Sequence, residues 1–325
     1  MKIFSGIQPT GNLHIGNYLG AVKQWAELQQ DGNNCIYCIV DEHAITVPQD
    51  PEKLREAILE AGTILLAAGI DADKSIVFIQ SHVPAHTELG WILNTLTPMG
   101  ELERMTQYKE KKEKSTYAGL FNYPTLMAAD ILLYNTEMVP VGEDQVQHIE
   151  LARSVALRFN NRYGETFIIP KPNLMKETAR IMSLTEPDKK MSKSDESDKS
   201  RVNLIDGPDI IREKIRGAVT DSGKEVTFDE NGKPAISNLL NIYSGFSGKP
   251  IASVESQFSD KPYAEFKESL AEAIIDALAP FQQRYRELQK EKGAMLDLLK
   301  RGADRARAIA EPKLKEVKQK IGFLL

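Results

Sequence analysis

The sequence predicts an α/β chain: a doubly wound parallel sheet through roughly its first 200 residues, then a region made only of helices. Three observations carry this expectation. Short apolar runs alternate with segments whose apolar residues recur at helical spacing. Each run ends in glycine or polar residues, as buried parallel strands do at their carboxyl ends. Beyond residue 200 the strand signals fade and helical periodicity remains.

Lys2–Ile7 reads as the first strand, because Ile3, Phe4 and Ile7 are β-formers and Gly6, Pro9 and Gly11 then punctuate a turn. Ile15, Tyr18, Leu19, Val22, Trp25 and Ala26 follow at helical spacing. His14-Ile15-Gly16-Asn17 therefore opens a helix after a glycine-containing loop, and the free N–H groups there favour anions. Gly16 has no Cβ, so a flat base or sugar can lie against the backbone. The next strand is Cys35–Val40, closed by Asp41-Glu42-His43. Its CxxC lies inside the strand, so it reads as buried thiols rather than a redox or metal pair. A proline-started helix covers 51–68, with Leu54, Ala57, Ile58, Ala61, Leu65 and Ala68 on one face. Ser75–Gln80 is a strand and Val83–Leu96 a helix.

Met99–Lys114 is strongly charged and ends in a stretch, Lys109–Gly119, that reads as a mobile loop, where Lys109, Lys111, Lys112 and Lys114 can reach a phosphate or simply face solvent. Pro124 suits the start of a helix over 122–134. Tyr123, Met127, Asp130 and Tyr134 share one face of it. A carboxylate on such a face needs a donor, from another side chain or from a ligand N–H. Met138–Gly142 is a strand, and Asp144 opens the next helix, as a cap or as an acceptor of ribose hydroxyls. Lys189–Ser194 is small, basic and rich in hydroxyls, which suits a triphosphate and a leaving pyrophosphate or a solubilising surface loop. After a short strand at Val202–Ile205, helices are expected over 208–219, 235–247, 250–258, 262–292 and 294–321, with Pro280 and Gly293 interrupting the long ones.

Composition is that of an ordinary globular chain of 325 residues, 42% hydrophobic and 27% charged. Two cysteines exclude a disulfide framework, no apolar run reaches membrane-spanning length, and MKIFSGIQP lacks a signal-peptide core, so a cytoplasmic protein is expected. Net charge is −5, yet 284–320 holds twelve Lys/Arg against six Asp/Glu, which permits a polyanion contact there.

PTGNLHIGN and KMSKS, about 175 residues apart and in that order, resemble the two signatures of class I aminoacyl-tRNA synthetases. HIGN departs from the usual HIGH only in its last residue. GEDQ and YPTLMAADILLYNT narrow the resemblance to the bacterial type of tryptophanyl-tRNA synthetase, over essentially the whole chain. The resemblance implies a Rossmann-type catalytic domain at 1–199 that includes KMSKS. It also implies a helical anticodon-binding domain at 200–325, whose last helix can pack back on the first. It implies activation of L-tryptophan by ATP with Mg²⁺, transfer to tRNA(Trp), and a homodimer.

Carried over by residue, Gln8, Pro9, Thr10, Gly16 and Asn17 resemble the ATP-binding signature. Lys111, Gly142, Glu143, Asp144, Ile181, Lys190, Met191, Ser192, Lys193 and Ser194 complete the ATP site. Gln8, Asn17, Lys190 and Lys193 are the catalytic candidates. Asp130 resembles the acid that accepts the indole N–H, with Phe4, Tyr123, Met127, Val139 and Val141 lining the pocket. His43 and Gln145 resemble the polar groups at the substrate's amino and carboxylate ends. Protein ligands for a metal are not expected. The rival readings are a tyrosyl-tRNA synthetase, a small-molecule adenylyltransferase, and an inactive tRNA-binding paralogue.

Overall fold

The structure is a computed structural model that describes residues 1–9, 13–111, 117–142, 145–174, 180–193, 195 and 197–325, the side chains of Glu110 and Lys111 excepted. Two compact units emerge, and they do not follow chain order. The first joins 1–10, 26–174 and 289–325, and the second joins 11–25 with 175–288.

The first unit is built on five parallel strands: β1 (Lys2–Ile7), β2 (Asn34–Ile39), β3 (Ile76–Ile79), β4 (Met138–Val141) and β5 (Lys171–Leu174). Their order is β3-β2-β1-β4-β5. The register pairs Phe4 with Ile36, Ile36 with Ile76, and Val139 with Pro172. β3 is buried throughout and β2 after its first residue, as strands covered on both faces must be. Strand order reverses between β1 and β4, so the ligand crevice of such a sheet lies beyond their carboxyl ends, after Ile7 and Val141.

The helices in chain order are α1 (Ile15–Asn17), running through a π turn at Tyr18–Val22 into α2 (Lys23–Gln30), then α3 (Asp41–Ala44), α4 (Pro51–Ala67), α5 (Ala85–Asn94), α6 (Met99–Glu103) and α7 (Thr106–Lys111). After these come α8 (Ala118–Leu132), α9 (Val146–Tyr163), α10 (Pro208–Gly217), α11 (Pro234–Ser247), α12 (Ile251–Phe258), α13 (Tyr263–Gln289) and α14 (Lys292–Ile321). Asp50 caps α4 by accepting from the N–H groups of Glu52 and Lys53.

Four expectations change. Pro124 lies inside α8, which begins six residues earlier, and Pro280 lies inside α13; each proline removes a single helical hydrogen bond, and packing holds the helix through it. Gly293 stands in the first turn of α14 rather than breaking it. The charged stretch after Met99 forms α6 and α7 as far as Lys111. The expected strand at Val202–Ile205 is a single bridge, from Asn203 to His14.

α14 packs against β3, the edge strand. Much of its basic character serves that docking. Arg305 donates to the carbonyls of Ala72 and Ser75 at 2.6 and 3.0 Å, Arg307 to His82 at 2.6 Å, and Lys313 to Thr166 at 2.8 Å. These cations satisfy carbonyl oxygens within the first unit rather than reach toward a polyanion. Gly302 makes the approach possible, since a Cβ there would stand 1.8 Å from the Val77 carbonyl oxygen. Gly302→Ala is expected to destabilise the fold by on the order of 3 kcal/mol, as overpacking against backbone does. Thermal unfolding checks this, and an unshifted midpoint would refute the close contact.

Candidate active site

In the first unit the centre is Asp130, on α8 and 1% exposed. Its carboxylate accepts from three side chains. His43 Nε2 lies 2.7 Å from Oδ2, and Gln80 Nε2 and His86 Nδ1 lie 2.7 and 2.6 Å from Oδ1. The Gln80 amide is oriented by its own Oε1, which accepts from the Glu42 N–H at 3.2 Å. Burial would push the Asp130 carboxyl up, but the charge and hydrogen bond of His43 and the hydrogen bond of His86 outweigh it and hold the group well below the usual carboxylate range. An ionised carboxylate has about four acceptor positions, so three donors leave about one, on Oδ2.

The surround is aromatic and aliphatic. Phe4 stacks on Tyr134 with centroids 5.7 Å apart, and both share a buried core with Val139 and Val141, against which Met127 packs. Tyr123 meets the His43 ring edge-on at 6.1 Å and holds His148 Nε2 through its hydroxyl at 2.7 Å. His43 therefore turns one ring nitrogen to Asp130, leaving only Nδ1 for the expected substrate contact. Gly142 is exposed after β4, and Gln145 stands at the N-cap position of α9. Gln8 is exposed and Pro9 buried, just past the end of β1.

The second unit gathers the described parts of the two signature strings, residues 13–17 and 190–193. Ile15 N–H donates to the Val202 carbonyl at 3.0 Å, and Leu204 N–H to Leu13 at 2.9 Å, which fixes the start of α1. Asn17 Oδ1 accepts from the His14 N–H at 3.2 Å, so its amide NH₂ remains for a ligand. Residues 181–183 and 189–191 pair as a short hairpin, through Met191 N–H to Ile181 O at 3.1 Å and Ser183 N–H to Lys189 O at 2.8 Å. Met191 is buried, Lys190 pairs with Met182 within the hairpin, and Lys193 lies beyond it. A Cβ on Gly16 would meet the His14 ring at 3.0 Å and Ile181 at 3.4 Å, so the space expected for a base or sugar is bounded by protein here.

His14 is buried and pushed down to about 3, first by burial and then by the charges of Lys193, Arg201 and Lys190. The imidazole is thus neutral at pH 7 among three cations. Arg201, buried at 7% exposed, donates to the carbonyl of Asp195 at 3.0 Å and to Asn203 Oδ1 at 3.2 Å. Neutral hydrogen-bonding groups ringed by cations suit a polyphosphate.

Sequence reasoning missed Gln80, His86 and Arg201. Thr10, Glu143, Asp144 and Ser194, and the side chain of Lys111, lie outside the described residues.

The chain matches the family described as tRNA synthetases class I (W and Y) over residues 1–279. It is 54% identical to the tryptophan–tRNA ligase of Caldanaerobacter subterraneus subsp. tengcongensis, covering 100% of this chain and 99% of that one. Its fold is similar to the tryptophanyl-tRNA synthetase of Mycoplasma pneumoniae, with a TM-score of 0.90, 34% identity, and 99% and 98% of the two chains covered. A Campylobacter jejuni tryptophanyl-tRNA synthetase complexed with ADP and tryptophan is similar at a TM-score of 0.85, with 37% identity and 99% and 100% covered.

Proposed function

The chain belongs to the class I tRNA synthetases of the tryptophan and tyrosine group, and we propose that the two constellations above serve its reaction, the ATP-dependent activation of L-tryptophan and its transfer to tRNA(Trp). The observation that carries the assignment of residues is the gathering of His14, Gly16 and Asn17 with Lys190 and Lys193 in one unit, while the other buries an ionised acid, held by His43, Gln80 and His86, beside an aromatic and aliphatic core.

In the first step the tryptophan carboxylate attacks the α-phosphorus of ATP. The bond to the β-phosphate breaks and pyrophosphate leaves. In the second step a ribose hydroxyl of the tRNA takes the acyl group and AMP leaves. No protein nucleophile is required, so the chain positions groups and stabilises charge. Lys190 and Lys193 meet the charge developing on pyrophosphate. The Asn17 amide, neutral His14 and the α1 backbone hold phosphate oxygens. Gln8 and Pro9, with Thr10, Lys111, Gly142, Glu143, Asp144, Ile181, Met191, Ser192 and Ser194, complete the ATP contacts. Asp130 accepts the indole N–H. Phe4, Tyr123, Met127, Val139 and Val141 enclose the ring, and His43 and Gln145 meet the amino and carboxylate ends. Met127 and the two valines suit a large apolar ring better than a phenol.

Among the described residues no group of three or more His, Cys, Asp or Glu is placed to hold a metal ion. Mg²⁺ is proposed as the companion of the ATP phosphates, which it would bind through oxygen, supplying charge neutralisation there. Of the helical region 200–325, the helices before α14 are assigned to the anticodon, and α14 packs back on β3.

A homodimer fits the exposure of Trp91 and Met99, 69% and 67%, on α5 and α6. Sedimentation is expected to give twice the 36.3 kDa chain mass, and Trp91→Asp to weaken the dimer; a monomeric parent protein would refute this. Cytoplasmic residence agrees with free, buried Cys35 and Cys38 and with the absence, among the described residues, of a helix long and apolar enough to cross a membrane. Cell fractionation checks it.

The deciding experiment is pyrophosphate exchange with tryptophan and tyrosine side by side, then charging of purified tRNA(Trp). Tryptophan-dependent exchange followed by charging supports the proposal. Tyrosine preference, or exchange without tRNA charging, points to the tyrosyl or adenylyltransferase reading.

A further inference from the structure

Behind Asp130 lies a second layer that touches no substrate in the proposal above. His86 is fully buried and bridges Asp130 and Tyr134, with Nδ1 2.6 Å from Asp130 Oδ1 and Nε2 2.7 Å from the Tyr134 hydroxyl. The partners fix the proton arrangement. Ionised Asp130 can only accept, so His86 Nδ1 carries a hydrogen. Tyr134 O–H then donates to an unprotonated Nε2. A proton on Nε2 would instead leave the tyrosine hydrogen without an acceptor among the described residues. Tyr134 is itself immobilised, 0% exposed, stacked on Phe4 and edge-on to Phe78 at 5.9 Å.

We infer that His86, fixed from behind by Tyr134, is a positioning residue that makes Asp130 a selective acceptor for a ring N–H. This rests on the reading that Asp130 meets the indole, and deepens it. His86 and Gln80 both occupy Oδ1 and His43 occupies one position on Oδ2, so the vacant lone pair has a single place and direction. The terminal torsion of an aspartate is broad and roughly two-fold, so with only Gln80 left on Oδ1 and His43 on Oδ2 the carboxylate plane is held less tightly, a second acceptor position opens on Oδ1, and the vacant lone pair on Oδ2 loses its aim. The loss falls on ligands with an N–H and spares those without one.

The test uses the full chain in pyrophosphate exchange with tryptophan and with its benzothiophene analogue, in which sulfur replaces the ring N–H. A parent enzyme that shows no preference for tryptophan refutes the Asp130 reading itself. Given that preference, His86→Leu is expected to raise the KM for tryptophan about tenfold or more, the order expected for a mispositioned hydrogen bond to a charged group. The KM values for ATP and for the analogue stay within about twofold on the same reasoning. His86→Asn, whose amide nitrogen falls at the place of Nδ1, restores most of the loss. Equal losses for tryptophan and the analogue, or an undiminished preference in His86→Leu, overturn the inference. Should His86→Leu fail to fold, ¹⁵N spectra of the parent protein decide. His86 is expected to donate from Nδ1 to Asp130 and to accept at Nε2 from the Tyr134 hydroxyl, and a proton on Nε2 overturns the inference.

Discussion

Asp130→Ala is expected to lower tryptophan-dependent pyrophosphate exchange by on the order of 10³-fold or more, while ATP affinity in the absence of tryptophan stays within about threefold. A site built to hydrogen-bond one polar atom discriminates by orders of magnitude, because the wrong partner leaves buried groups unpaired. Here the unpaired groups are visible. Without the carboxylate, His43 Nε2, His86 Nδ1 and Gln80 Nε2 all face an empty position. Each unsatisfied buried donor costs about 1–3 kcal/mol, so the variant also unfolds at lower temperature and is assayed well below its midpoint. Equilibrium dialysis of ATP separates the two effects, and equal losses for ATP and tryptophan would remove Asp130 from the pocket.

The pH dependence has a definite sign. Burial raises the Asp130 carboxyl, but His43 and His86 outweigh it and the folded value falls below the ordinary one of about 3.9. Its contribution to stability is complete above that unfolded value and is lost as pH falls through the folded one. Tryptophan recognition should therefore show no acid limb from Asp130 between about pH 5 and 8, since the group stays ionised throughout. A titration of the Asp130 carboxyl carbon in ¹³C spectra within that range would contradict the geometry.

Strands β1 to β4 were legible because each is an apolar run bounded by glycine, proline or acids, and a strand buried on both faces leaves that trace. β5 was not. Its residues, KPNL, are exposed or half-buried on the sheet's edge and carry a proline, so neither hydropathy nor propensity marks them. Asp130 was legible as an acid on an apolar helical face. Its partners were not, since Gln80 and His86 stand 50 and 44 positions away, where no helical or strand period relates them. The two signature strings were recognised as separate loops, but not the bonds that join their surroundings. Those run through Ile15 to Val202 and Leu13 to Leu204, backbone contacts that carry no side-chain signal. The grouping of 11–25 with 175–288 rests on such contacts, so a chain-order division could not foresee it.

Lys193→Ala is expected to lower the pyrophosphate-exchange rate by about 10²-fold, with ATP affinity changed far less, as for loss of a donor that acts mainly in the transition state. The hairpin beneath the loop explains why this lysine can act so specifically. Met191 is buried, the backbones of Ile181 and Ser183 hold Met191 and Lys189, and Lys193 stands in the turn that follows. Its charge already acts on His14, together with those of Arg201 and Lys190. Removing it relieves one of the influences holding His14 down, yet burial is the larger cause, so His14 stays neutral at pH 7 and the expected loss belongs to the lysine itself. Lys189 supplies the control. It is exposed and paired with Glu186 on the outer side of the hairpin, so Lys189→Ala is expected to change the rate by no more than about twofold. Equal effects from the two substitutions would mean that the loop contributes only diffuse positive charge, and an unchanged rate in Lys193→Ala would take this lysine out of the chemical step.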